Sequence, residues 1–134
     1  MRYNGIIEAK LRIIEQKLAE IESWNITGFS QLKESSLLQN AVERALQVCT
    51  EVMIDISERI LALHKIAPLA SAAENMQQLQ KMGIIPARSE YEDMVRFRNF
   101  IVHRYEKIDL EIIFGILKNK LFLFYEFISD IRNG

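Results

Sequence analysis

Cysteine is nearly absent from this chain, and proline is scarce. Cys49 is the only thiol, so no intrachain disulfide can form and no zinc knuckle can be built from thiolates. It sits in an apolar helical run and is read as a core residue. Two prolines, five glycines and no stretch that alternates apolar and polar residues over strand length exclude a β fold. Excess charge is missing as well: 17 Lys and Arg against 18 Asp and Glu leave a net charge of -1. That balance excludes a protein that coats nucleic acid with a whole basic face. The opening stretch MRYNGIIEAKLRIIEQK is interrupted by Glu8, Lys10 and Arg12, so it reads as neither a signal peptide nor a membrane span. The cytoplasm is the expected address, with no membrane partner. No internal repeat, low-complexity segment or Gly-rich phosphate loop is present.

What is there is helical periodicity. With 134 residues and 49% hydrophobic content, the chain fits one domain, residues 1–134, that buries about two thirds of its unfolded surface. Ile7, Leu11, Ile14, Leu18 and Ile21 recur at steps of four and three, which predicts an amphipathic helix over about residues 3 to 23. A loop follows at Asn25, Thr27, Gly28 and Ser30. Leu38, Val42, Ala45, Cys49, Val52, Ile56, Ile60 and Leu63 then make one long stripe. A continuous helix from Gln31 to Leu63 would be about 50 Å long, so it is expected to kink or to reach a second subunit.

Pro68 ends that region, and Ser71 is a good N-cap for the short helix SAAENMQQLQKM, closed by Gly83. Pro86 fits the first turn of a further helix through EYEDMVRFRNFIV. Asp109 is a candidate N-cap for the last one, where Leu110, Phe114, Leu117, Leu121, Phe124, Ile128 and Ile131 share a face. The fold class is all-α, an antiparallel bundle of four to five helices. Apolar surface beyond what so small a bundle covers predicts a two-fold homodimer.

Chemistry concentrates in residues 96 to 107, RFRNFIVHRYEK, where Arg96, Arg98, Arg104 and Lys107 face a single acid, Glu106. On a helix, Tyr91, Met94, Val95, Arg98, Ile101, Val102 and Tyr105 share one face. Arg98 therefore stands inside an apolar stripe, where its permanent charge demands a carboxylate, a phosphate or water beside it. A structural ion pair and a phosphate clamp both satisfy that demand. Arg96, Asn99 and His103 fall on a second face. His103 lies about 140° around an ideal helix from Arg98, so the two converge only if the helix frays or if two chains each supply one. His64 is the only other histidine, and no spacing puts two metal ligands on one face. Neither a metal nor any other cofactor is expected.

The order Arg98, four residues, His103, one residue, Tyr105, with Asn99 directly after the arginine, resembles the Rx4HxY motif of the HepT-like toxins of the HEPN superfamily. Helix order and length extend the resemblance over most of the chain. It implies a metal-independent endoribonuclease that works as a homodimer, with Arg98 and His103 of each subunit lining a cleft at the interface. It also implies a partner, an MNT-type nucleotidyltransferase antitoxin that can AMPylate the motif tyrosine, here Tyr105. The residue types suit the chemistry: a histidine titrating near neutral pH serves as general base or acid, and an arginine fork grips phosphate oxygens. Asn99, four residues before His103, is placed to orient the imidazole or to bind RNA. Arg96, Arg104 and Lys107 are candidate secondary phosphate contacts. Two rival readings are a non-catalytic adaptor that completes a nucleotidyltransferase's substrate site and a plain helical dimerisation module. The Arg98 and His103 pair favours the enzyme, since an adaptor needs neither a titrating group nor a phosphate clamp.

Overall fold

The computed structural model describes residues 5–67, 69–102 and 109–134, with the backbone alone at 99–102. Every described element is an α-helix: α1 (Gly5–Ser23), α2 (Phe29–Lys33), α3 (Ser36–Leu63), α4 (Ala72–Lys81), α5 (Glu90–Val102), α6 (Leu110–Asn119) and α7 (Leu121–Asn133). The all-helical class expected from the periodicity holds, with more elements than the four or five expected. The first helix behaves as its spacing dictates: Ile7, Leu11, Ile14, Leu18 and Ile21 are its buried residues. They pack chiefly on α3, and burying each such side chain contributes about 1.5 to 3 kcal/mol relative to leaving it in water.

Two of the expected long helices are divided. The stretch from Gln31 to Leu63 breaks at Glu34 and Ser35, and the Ser35 hydroxyl accepts the Leu38 N–H at 3.1 Å to start α3 afresh. Ser30, expected in the loop, lies inside α2. The last helix breaks at Lys120, for a reason of phase. An unbroken helix would carry Lys120 onto the core stripe, four residues after buried Ile116 and four before buried Phe124. The break leaves Lys120 exposed while Leu123, Phe124, Phe127, Ile128 and Ile131 still reach the core.

Caps account for most other boundaries. Ser71 accepts from the Glu74 N–H at 3.1 Å, and Asp109 from the Glu111 N–H at 2.9 Å. Gly83 takes φ 72° after α4, the left-handed turn that glycine adopts without penalty. At the end of α3 the same turn falls on Lys65, φ 61°, beside the His64 C-cap. Pro68 lies outside the described residues.

Pro86, expected in the first turn of α5, precedes that helix by several residues, because α5 starts at Glu90. Ile84 and Ile85 are buried and the Arg88 N–H is taken by the Gln80 side chain at 3.0 Å, which holds this segment across the end of α4.

The bundle centres on α3, against which α1, α2, α4 and α5 pack, while α7 touches α1 and α5. The apolar surplus expected on the long second helix is mostly covered. Of α3 only its two ends, Leu37 and Leu63, leave large apolar side chains exposed, alongside Ile6 and Ile13 on α1 and Ile112, Phe122 and Tyr125 on α6 and α7. No described helix is long and apolar enough to cross a membrane.

Candidate functional site

The motif helix α5 is anchored at its start. Tyr91, Met94, Val95 and Phe97 are buried, as the apolar face containing Tyr91, Met94 and Val95 predicts. The Tyr91 ring meets Phe127 edge to face, centroids 5.7 Å apart at 84°, and its hydroxyl donates to Asp130 on α7. Burial, then the bond to Asp130, push the Tyr91 phenol far above its ordinary pKa. Arg88 adds ion pairs to Asp130 and Glu126, each at 3.2 Å. Together these contacts fix the entry of α5 against α7.

Further along α5, Arg98 emerges from the apolar face into a groove of about 640 Å³ between α5 and the first turns of α4. Its Nε is buried and has no hydrogen-bond partner among the described residues. A structural ion pair at that nitrogen needs a carboxylate within hydrogen-bond reach, and among the described residues none bonds to it. Arg96 lines the same groove, more exposed and held loosely to Asp93 at 3.6 Å. A buried guanidinium nitrogen without a partner is expensive, and the groove beside it has room for an anion that would satisfy it.

The structure brings Arg96 and Arg98 together on one wall. Asn99 follows Arg98 in α5. His103, Arg104, Tyr105 and Lys107 lie outside the described residues. The opposite wall contains Ser71, the N-cap of α4, with Glu74 and Gln77 of that helix, which the sequence reading did not single out as a site. Glu74 and Gln77 stand three apart, hence on one helical face, but nothing in their spacing says that α5 lies opposite. The loop entering α4 is fixed by buried Asn75, whose side-chain oxygen accepts the Leu69 N–H at 3.0 Å. Among the described residues no three of His, Cys, Asp and Glu gather where they could hold a metal ion. Cys49 is buried away from any site, and burial pushes its thiol up to about 12.

Residues 14–131 match the family described as Ribonuclease HepT-like. The chain belongs to the HepT-like ribonuclease family. Among HepT-like relatives, the mRNA nuclease HepT of Shewanella oneidensis is 30% identical over 131 residues, covering 96% of this chain and 98% of that protein. The tri-AMPylated HEPN toxin of the same organism, solved in complex with MNT antitoxin, superposes with a TM-score of 0.87 at 28% identity, covering 98% of this chain and all of that one. YutE of Bacillus subtilis, a cytosolic protein of unknown function, shares the fold at a TM-score of 0.82 and 19% identity, over 96% of this chain and 87% of that one. The HepT-like membership expected from the Rx4HxY residues is thus met by the family, by a relative and by the fold.

Proposed function

We propose that this chain is the ribonuclease toxin of a HepT/MNT pair and that it cuts RNA without a metal ion, using Arg98 and His103 of a homodimer. The observation that carries the reading is the Arg98 Nε, buried, unpartnered among the described residues and set in the wall of an open groove. A phosphodiester is the ligand that satisfies it, since its non-bridging oxygens accept from a guanidinium fork.

RNA supplies its own nucleophile. A base removes the 2′-hydroxyl proton, the 2′-oxygen bonds to phosphorus, the bond from phosphorus to the 5′-oxygen breaks, and that oxygen takes a proton. The products are a 2′,3′-cyclic phosphate and a 5′-hydroxyl. His103 is the group to move those protons, a role worth roughly 10²- to 10⁴-fold. Arg98 stabilises the charge that builds on the phosphate oxygens. Asn99 orients the imidazole or holds RNA, while Arg96, Arg104 and Lys107 hold neighbouring phosphates. The angular separation of Arg98 and His103 along one helix favours a site composed across two subunits, and a monomeric mass by light scattering would remove that composite site. A cytoplasmic location accords with an RNA substrate.

The relative solved with MNT antitoxin is itself AMPylated, which supports the same partner and the same modification here, on Tyr105. An adenylyl group two residues from His103 would bring an anion and a bulky base to the cleft and block RNA. The test is cleavage of a mixed RNA in EDTA by protein whose Tyr105 is unmodified by intact mass. Wild type is expected to cut, with His103→Ala and Arg98→Ala inactive. Inert wild type, or equally active variants, would sink the reading.

A further inference from the structure

We infer that the groove between α4 and α5 is a base-reading subsite that selects guanine beside the scissile phosphate, with Glu74 and Gln77 as its readers. The inference rests on the ribonuclease reading for the identity of the ligand as single-stranded RNA. The groove's two walls differ in character: Arg96 and Arg98 on one, Ser71, Glu74 and Gln77 on the other. At about 640 Å³ it lies within the range of about 300 to 1,000 Å³ typical of small-molecule sites, enough for one nucleotide with its phosphate on the arginine wall.

Glu74 is the informative residue. Its place in the first turn of α4 suits the helix dipole, and from there its carboxylate lines the groove opposite two arginines, where it repels a polyanion's backbone and is left to meet a base. It makes no ion pair with a described residue, and its backbone N–H is already used by Ser71. A carboxylate only accepts hydrogen bonds, and it accepts best from two adjacent donors. Of the four bases, guanine alone offers two adjacent N–H groups on its Watson–Crick edge, N1 and N2. Adenine and cytosine place a lone-pair nitrogen next to their amino group, and uracil flanks its single N–H with carbonyls. Single-stranded RNA exposes this edge to protein side chains.

Gln77, one turn along the same face of α4, has a side chain with no described hydrogen-bond partner and an amide that can donate to guanine O6. The pair thus matches all three groups of the guanine edge.

The test is binding by fluorescence anisotropy of short 2′-O-methyl oligouridines with one central position varied through all four bases, which lack the nucleophile and are not cut. Unmodified wild type is expected to bind the guanine oligonucleotide about tenfold more tightly than the others. Glu74→Gln, which sets an amide donor against N1 and N2, should erase that advantage, and Gln77→Ala should reduce it. Arg98→Ala should weaken all four alike. Indifference to the central base, absence of binding, or a guanine preference that survives both α4 substitutions would overturn the inference. Guanine-selective binding by a protein that cuts no RNA would sink the ribonuclease reading and leave this subsite standing; cleavage blind to sequence would do the reverse.

Discussion

Tyr91 and Asp130, thirty-nine positions apart in the chain, meet through a hydroxyl-to-carboxylate hydrogen bond that joins the start of α5 to the end of α7. Tyr91 is fully buried and the Asp130 side chain is 12% exposed, so the bond is largely shielded from water. Tyr91→Phe removes the donor and keeps the ring against Phe127. A loss of about 1.5 to 3 kcal/mol in urea unfolding is expected, and an unchanged midpoint would show that Arg88 alone holds Asp130.

Arg132 on α7 donates to Glu8 at 2.6 Å and to Glu15 at 2.7 Å, clamping α7 to α1. These bonds, ahead of the opposing effect of burial, hold both carboxyls below their ordinary value of 4.5. A lowered folded pKa means stability that is present above the unfolded value and lost as pH falls through the folded one. Arg132→Gln should therefore unfold more easily than wild type at pH 7, with the difference closing as pH drops below about 4.5. Urea midpoints across pH 3 to 7 check it, and a gap that stays constant would mean that the clamp works by packing alone.

Arg98 separates the two readings of its own environment. If it were a structural ion-pair partner, removing it would cost about 3 to 5 kcal/mol. Because its Nε has no partner among the described residues, Arg98→Met should be at least as stable as wild type in urea. Cleavage by Arg98→Met should fall by about 10²- to 10³-fold, and Arg98→Lys should restore only part of it, since an ammonium lacks the fork.

The turn after α3 contains a correctable strain. Lys65 adopts φ 61°, a conformation that costs a non-glycine residue roughly 1 to 2 kcal/mol. Lys65→Gly should raise the melting temperature by a few degrees. Gly83, at φ 72° with open space around its Cα, gives the opposite case: Gly83→Ala should lower it by backbone strain alone.

Cys49, with its thiol pushed up to about 12 by burial, should be inert to a thiol-disulfide reagent at pH 8 and react fully in denaturant. Rapid reaction of the native protein would place α3 in frequent opening.

The helical class and the membership of α1 in the core were legible because five apolar residues keep strict three-and-four spacing between Ile7 and Ile21. The breaks at Ser35 and Lys120 were not, because neither proline nor glycine marks them. Ser35 acts through its hydroxyl, and Lys120 interrupts because continuing would bury its charge. Arg98 announced itself as a cation in an apolar stripe. Its groove stayed hidden because the facing wall, Glu74 and Gln77, comes from a helix whose packing partner no local pattern reveals. Arg96 and Arg98 are placed within it, whereas the second half of the motif, from His103 to Lys107, lies outside the described residues.

The division of α5 into an anchored beginning and a groove-lining end bears on how such a protein evolves. Tyr91, Arg88 and Phe127 hold the helix in place, and none of them lines the groove. Glu74, exposed on α4, makes no contribution to the core. Selection can therefore exchange the residues that face the ligand while the fold's tolerance for mutation is spent elsewhere, so a lineage can drift from one target to another through single substitutions without passing through an unfolded ancestor.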